Sequence, residues 1–344
     1  MSPCTSVNRR ITFARWPDGA PVAQDFRTVT EPIPVPKPGQ VLLRTMYLSL
    51  DPYMRGRMSQ GPSYVEPMAI GDTMCGQAVC RVVESQDRVL KEGDLALANT
   101  GWQDYAVANA SELTKLDSTM SRPSYALGVL GMPGFTAYAA LLDIGQPRSG
   151  ETVVVTAATG AVGSVVGQIA KMKGCRAVGI AGGAEKCAYA VDALGFDGCV
   201  DHHATEFPKL LAAACPRGID VYFEGVGGAV FEAALPLLNL HSRVPLIGCV
   251  AYYNMKSLPV GVDHVPVLLR QILVNRVKVQ GFIVFDHYQT RYADFARDMG
   301  AWVRDGKVKY REEILKGLER APEALIGLLR GDNFGKVVVE VADG

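Results

Sequence analysis

The sequence predicts an α/β protein made of an irregular β-barrel domain and a doubly wound parallel-sheet domain, and three observations carry that expectation. A chain of 344 residues is too long for one hydrophobic core of ordinary size, so two domains are expected. Its first ~120 residues are short β-type runs broken by Pro and Gly, the pattern of an irregular barrel. From Ser121 onward strand-like and helix-like segments alternate, and strands apolar on both sides belong to a parallel sheet with helices on both faces.

Composition narrows the function classes. With 48% hydrophobic and 20% charged residues the chain can bury a sizeable core. Lys+Arg and Asp+Glu both number 35 and form no basic stripe, which argues against nucleic acid or an anionic membrane as partner. Residues 1–10 are polar, and no later run is apolar for long enough to span a bilayer, so the cytosol is the expected location. Eight cysteines (Cys4, Cys75, Cys80, Cys175, Cys187, Cys199, Cys215, Cys249) are scattered without a C-x-x-C pair and are expected as reduced core thiols.

In the N-terminal part the β runs fall at 41–49, 77–84, 94–98 and 105–108. The run EPIPVPKPG at 31–39 is neither helix nor central strand, because proline supplies no N–H there, and reads as an extended surface lead-in to the next strand. Residues 121–142 carry apolar positions at helical spacing, interrupted at 131–134, and connect the domains. Strands are then expected at 152–156, 177–180, 199–201, 219–223 and 244–247, with helices at 162–173, 185–194, 205–214 and 229–238 between them. A late strand at 277–284 follows. The tail, helical at 291–305 and 322–330 and a strand at 336–341, is expected to return to the first domain. The expected division is therefore 1–125 completed by 305–344, and 126–304.

The sharpest motif is Thr156-Ala157-Ala158-Thr159-Gly160-Ala161-Val162-Gly163, directly after a strand and directly before a helix. Gly160 permits a tight turn and close approach of backbone to a pyrophosphate, while Gly163 and Gly167 let the helix press on the sheet. Ala157 stands where the commonest fingerprint has its first glycine. At the end of the second strand an NAD enzyme places Asp or Glu on the ribose; here Ala181-Gly182-Gly183 leaves room for a 2′-phosphate and Lys186 supplies a counter-charge. NADPH is thus the expected cofactor. Glu185, turned inward, would favour NAD instead; as a first-turn acidic residue it reads as a solvated side chain matched to the helix dipole.

A catalytic zinc needs Cys, His or carboxylate ligands around an open position. The five histidines, His202, His203, His241, His264 and His287, all lie outside the N-terminal domain, and adjacent His202 and His203 are expected to point apart. No metal is expected.

Several runs together resemble the zinc-independent medium-chain dehydrogenases/reductases, in the branch of prostaglandin reductases, alkenal double-bond reductases and bacterial curcumin reductases. They are LSLDPYMRGRM at 48–58, GMPGFTAY at 131–138, AATGAVGSVVGQIAK at 157–171, YREE at 310–313 and NFGKVV at 333–338. The resemblance covers nearly the whole chain. It implies a GroES-like N-terminal domain closed by the C-terminal tail, a Rossmann domain between, a homodimer, and reduction of the C=C bond of an enone or alkenal by NADPH. It also implies that Lys186 binds the 2′-phosphate, that Asn333 contacts the cofactor, and that 281–284 line the nicotinamide. A Tyr-Asn pair, here Tyr253-Asn254, then lies near the substrate carbonyl. The cofactor set expected from motif and resemblance is Pro133, Thr136, Thr159, Gly160, Ala161, Val162, Gly163, Gly182, Lys186, His202, Val226, Cys249, Tyr253, Phe282, Ile283, Val284 and Asn333. Two positions depart from the relatives: Asp201-His202 replaces a frequent Asn-Tyr, and Gly225 a frequent Asn.

Hydride addition to an enone leaves negative charge on the former carbonyl oxygen, and a phenol can stabilise it without being ionised. Tyr253 is the first candidate, since it follows a strand at the carboxyl edge where ligands of open α/β sheets bind; Tyr53 is second and Tyr64 third. The competing reading for each, and for Tyr252, is an amphipathic core or rim residue. Arg55 and Arg57 either hold an anionic substrate tail or pair locally, with Asp51 the nearest carboxylate in sequence. Rival functions are a zinc-free quinone reductase and a non-catalytic NADPH-binding protein.

Overall fold

The computed structural model describes residues 7–61, 63–257 and 263–342. The chain forms two compact units, Met1–Gly128 with Glu312–Gly344, and Val129–Arg311.

The first unit opens with β1 (Val7–Phe13) paired antiparallel to β2 (Phe26–Pro32). The proline run ends β2 and continues without regular structure until Gly39, at φ 81°, turns the chain into β3 (Gln40–Ser49). A short helix α1 (Tyr53–Arg57) follows, then β4 (Ala78–Ser85), β5 (Leu95–Ala98), β6 (Tyr105–Asn109) and β7 (Thr114–Lys115). β3 pairs with β4 along one side, while the Gln40–Arg44 half of its other side takes β6. Phe13 and Trp102 are fully buried, and Phe26 stacks on Trp102 with centroids 5.6 Å apart.

The second unit begins with α2 (Met132–Ala139), which widens into a π-type turn at Ala140–Gly145. The segment 131–134 is therefore the start of a helix, not an interruption in one. Gly131 is the N-cap residue, Pro133 sits in the first turn where its missing N–H costs nothing, and a Cβ on Gly134 would lie 2.0 Å from the Val129 carbonyl oxygen.

The parallel sheet is built from β8 (Thr152–Val155), β9 (Arg176–Ala181), β10 (Gly198–Asp201), β11 (Ile219–Phe223), β12 (Leu238–Leu246) and β13 (Lys278–Gly281). Helices α3 (Gly163–Met172), α4 (Ala184–Asp192), α5 (Phe207–Ala214), α6 (Gly228–Ala234), α7 (Val265–Asn275) and α8 (Tyr288–Arg304) connect and cover it. The strand order β10-β9-β8-β11-β12-β13 puts the reversal of winding between β8 and β11. β8 is buried at all four positions, as a central strand covered on both faces must be, and each such valine contributes roughly 1.5–3 kcal/mol.

β12 starts six residues before the apolar run that predicted it. Its register to β11 slips between the Leu238 and Arg243 pairings, and His241 sits there at φ 60°, so the side-chain alternation that marks a strand in sequence is broken until Val244.

The chain then returns to the first unit through β14 (Glu312–Lys316), α9 (Ala321–Arg330) and β15 (Lys336–Glu340). β15 pairs antiparallel with the Tyr47–Ser49 end of β3, so that strand is shared by an early and a late segment. Lys336 is 2% exposed, and its ammonium donates to Leu50 O at 2.7 Å and to Asp51 Oδ1 at 2.9 Å. Breaking a buried pair of this kind costs about 3–5 kcal/mol.

Candidate active site

In the second unit the fingerprint turn closes tightly. Ala157 holds φ 47°, the Gly160 amide donates to Ala157 O at 2.8 Å, and a Cβ on Gly163 would lie 2.4 Å from that same oxygen. Thr159 is buried, and Gly160, Ala161 and Val162 are half-buried at the turn that leads into α3. Ser164 Oγ donates to Gly160 O at 2.7 Å and fixes the turn on the helix. Gly167 faces the ring of Phe196, not a strand: a Cβ there would lie 1.9 Å from Phe196 Cζ. Thr136 spends its hydroxyl on Met132 O at 2.9 Å within α2.

The same carboxyl edge carries the other candidates of this unit. Gly182 and Lys186 lie just beyond β9, Val226 just beyond β11, and Cys249 and Tyr253 beyond β12. Phe282, Ile283 and Val284 follow β13, where the Phe282 amide donates to Leu246 O at 2.9 Å and the ring stacks on His287 at 4.6 Å.

The two neighbouring tyrosines are separated by their surroundings. The Tyr252 hydroxyl accepts from the Gly228 amide at 2.8 Å, and its ring covers Gly227, whose Cβ would lie 2.7 Å from Cε2. Tyr252 thus fastens the loop after β11. Tyr253 is half-buried, and a Cβ on Gly248 would lie 3.3 Å from its hydroxyl oxygen and 3.4 Å from Gly225 O.

Sequence reasoning missed what holds that loop. Glu224, 1% exposed at the end of β11, accepts from the amides of Val226 and Gly227, the latter at 2.8 Å. Burial pushes its carboxyl above the usual range, against the lowering effect of those amides and Tyr222. Thr156 Oγ1 donates to Phe223 O and accepts from the Gly225 amide, each at 3.0 Å, tying the fingerprint strand to the same loop. The signal was an acidic residue closing the apolar run IDVYF just before glycines.

His202 and His203 do not point apart. Their ring centroids are 4.1 Å apart, because Asp201 Oδ1 accepts from the amides of Gly183 and His203, each at 2.9 Å, and curls the turn that carries both rings.

In the first unit Tyr53 begins α1. Burial pushes its phenol well above the usual value, with Cys75, Asp51 and Tyr64 adding to the rise and Arg57 opposing it. Tyr64 is 57% exposed. Arg55 is a local brace, donating to Gly19 O at 2.8 Å and Ser59 Oγ at 2.6 Å. The ion-pair partner of Asp51 is Lys336, not an arginine, and its other oxygen accepts from the Ser49 hydroxyl. Asn333 Nδ2 donates to Gly335 O at 2.8 Å. Among the described residues no group of three or more His, Cys, Asp or Glu could hold a metal ion.

A parallel sheet in this order, a glycine-containing turn at its winding reversal and an antiparallel unit completed by the chain's end define a two-domain, dinucleotide-dependent oxidoreductase. Two family models match: one described as the N-terminal domain of oxidoreductase over residues 9–116, the other as zinc-binding dehydrogenase over 161–301. An NADPH-dependent curcumin reductase of Escherichia coli (strain K12) is 56% identical over 335 residues, 97% of each chain. A 2-alkenal reductase (NADP(+)-dependent) of Nicotiana tabacum is 38% identical over 341 residues, 97% of this chain and 98% of that one. The crystal structure of CurA in complex with NADPH from Vibrio vulnificus superposes with a TM-score of 0.95 at 55% identity, over 98% of this chain and 100% of that one. The chain belongs to the medium-chain dehydrogenases/reductases, in the branch of curcumin, alkenal and prostaglandin reductases.

Proposed function

We propose that this chain reduces the carbon–carbon double bond of α,β-unsaturated ketones and aldehydes with NADPH. The observation that carries the reading is 56% identity to a curcumin reductase over 97% of both chains, in a fold that sets the Tyr253 phenol at the carboxyl edge of the parallel sheet.

The residues fit the cofactor. Gly163 lets the start of α3 close against the fingerprint turn, where a Cβ would lie 2.4 Å from Ala157 O, and no carboxylate ends β9 where an NAD enzyme keeps one. Thr159 to Gly163 would hold the pyrophosphate, and Gly182, Lys186 and His202 the 2′-phosphate. Residues 282–284 would line the nicotinamide; Pro133, Thr136, Val226, Cys249 and Tyr253 complete the set in this unit, and Asn333 is the candidate of the first. When bound, NADPH supplies the hydride. The chain's own task is to hold the substrate carbonyl and meet the charge that grows on its oxygen. Tyr253 donates a hydrogen bond to that oxygen, ahead of Tyr53 and Tyr64. Burial suits Tyr53 to the role of donor, because it keeps the phenol protonated. The α-carbon receives its proton from a tyrosine or from water.

The working form is read as a homodimer. β13 is an edge strand exposed at all four positions, and α7 shows Val265, Val267, Leu269, Leu273 and Val274 to solvent, a combination that a second copy would cover by continuing the sheet. Light scattering on the purified protein should give twice the chain mass, and a monomer that stays monomeric at high concentration removes the reading. A cytoplasmic location agrees with seven free thiols among the described cysteines and with no described helix long and apolar enough to cross a membrane.

The function is tested with a panel of 2-alkenals, benzylidene acetone, curcumin, a 15-oxo-prostaglandin and a quinone, each with NADPH and with NADH. Saturated ketones or aldehydes should appear, faster with NADPH. Turnover of the quinone alone, or of nothing, overturns the proposal.

A further inference from the structure

We infer that Arg57 is a specificity-determining residue for a negatively charged substrate: its guanidinium takes the carboxylate of an enone that carries one on its tail. The inference rests on the proposed enone reduction and narrows its substrate class.

The local fold leaves this side chain without a partner. Tyr53 and Arg57 are four positions apart on α1, so they share one face of the helix a turn apart, while Met54, Arg55 and Met58 are buried. The Met68 amide donates to Arg57 O at 3.0 Å and holds the returning chain beside the end of α1. Arg55 spends its guanidinium on Gly19 O and Ser59 Oγ. Arg57 does not follow it: its side chain forms no hydrogen bond or ion pair among the described residues, and its Nε is sealed from solvent with nothing to accept its hydrogen. The nearest carboxylate in sequence is already taken, since Asp51 holds Lys336 on one oxygen and the Ser49 hydroxyl on the other.

The charge around α1 is therefore unbalanced. Asp51 and Lys336 neutralise each other, and burial pushes the Tyr53 phenol up and the Cys75 thiol up to about 11, so both stay protonated at neutral pH. The Arg57 charge acts on both of them and on Tyr64, drawing all three down against their burial, which places the guanidinium among these side chains. Tyr64 is 57% exposed, so the cluster opens to solvent on one side. A guanidinium stays charged at any working pH, and its planar fork pairs with a carboxylate through two parallel hydrogen bonds. Partly removed from water and lacking an internal partner, it gains most from an anion brought by the substrate. A carboxylate on the tail of the enone supplies that anion on the helix face that carries the Tyr53 phenol.

The test compares acids with their methyl esters: 4-oxohept-5-enoate and 8-oxoundec-9-enoate, the same enone on a short and a long tail, against the matching esters, with kcat and KM taken from NADPH oxidation at neutral pH. Wild type should favour the acid at one tail length or both, on the order of tenfold in kcat/KM, the worth of a charge-assisted hydrogen bond at a half-exposed site. The preference should lie in KM, because the guanidinium meets a part of the substrate that does not react. Arg57→Met keeps the apolar stem and removes the fork, and its acid-to-ester ratio should fall to about one; Arg57→Lys keeps the charge and should retain part of the preference. The ratio compares two substrates on one protein sample, so a loss of folded enzyme cancels. A wild type that treats acid and ester alike at both lengths overturns the assignment without any variant. An Arg57→Met ratio within about twofold of wild type overturns it too, being the result expected if Arg57 only braces the fold or acts on the reacting oxygen. Esters reduced and acids refused leaves the enone reading standing and removes the role of Arg57, whereas no enone reduced removes both.

Discussion

Gly167 of α3 and the ring of Phe196 meet with no room for a methyl group between them, since a Cβ on the glycine would lie 1.9 Å from Cζ and 2.3 Å from Cε2. Phe196 is 3% exposed and cannot swing out to solvent without opening the core. Gly167→Ala should destabilise the protein by about 1–3 kcal/mol through overpacking. Phe196→Leu in the same chain should recover part of that loss, because the two changes share one space. Urea unfolding of both single variants and the double variant measures the coupling, and strict additivity would show that the two residues do not share it.

Ala157 occupies the left-handed region at φ 47° in the fingerprint turn between β8 and α3. A Cβ is disfavoured there by roughly 1–2 kcal/mol, and glycine gives part of this back through its freer unfolded chain. Ala157→Gly is therefore expected to stabilise the protein by about 0.5–1 kcal/mol, the reverse of the usual cost of a glycine. A shift of the urea midpoint to lower concentration would mean that the turn carries no strain at this residue.

What the sequence made legible divides along physical lines. The β8 strand, the fingerprint turn and α3 were readable because burial on both faces, a tight turn and helix packing each restrict residue type locally. The C-terminal return was legible as a helix and a terminal strand rejoining the first domain, but not the pairing that fixes it, since Lys336 on Asp51 joins residues 285 positions apart. The turn after β10 was misread since alternation describes a strand and says nothing once Asp201 bends the backbone around its carboxylate. The early half of β12 was missed for the same reason, its pattern being broken by an irregular register and a positive-φ histidine. The sequence ranked Tyr253 above Tyr252, and it is the Gly228 amide that shows what Tyr252 does, as a loop fastener.

Glu224 gives a pH dependence whose sign can be worked out. Burial raises its carboxyl in the folded protein above the unfolded value, so the folded state binds this proton more tightly. The contribution to stability is full below the unfolded pKa and is lost as pH rises through the folded one, at up to about 1.4 kcal/mol per unit of separation. Glu224→Gln keeps an oxygen for the amides of Val226 and Gly227 and removes the titration. The variant should gain stability relative to wild type on going from pH 5 to pH 8.5. Unfolding curves giving the same difference at both pH values would place the ionisation elsewhere.

Tyr253 is the last and sharpest case, because its neighbour supplies an internal control. Its hydroxyl lies over Gly248 beside the carbonyl of Gly225, at the carboxyl edge of β11 and β12. Tyr253→Phe removes the hydrogen-bond donor proposed for the developing oxyanion and leaves the ring in place. With a saturating enone, turnover should fall on the order of tenfold to a thousandfold, the size of losing such a donor. Tyr252→Phe removes only the acceptor for the Gly228 amide, so it should cost about 1 kcal/mol of stability and far less turnover. Stopped-flow traces of NADPH oxidation separate the chemical step from product release, and the loss in Tyr253→Phe should appear in that step. Turnover of Tyr253→Phe within twofold of wild type would pass the role to Tyr53, whose buried phenol in the first unit is the next donor to replace.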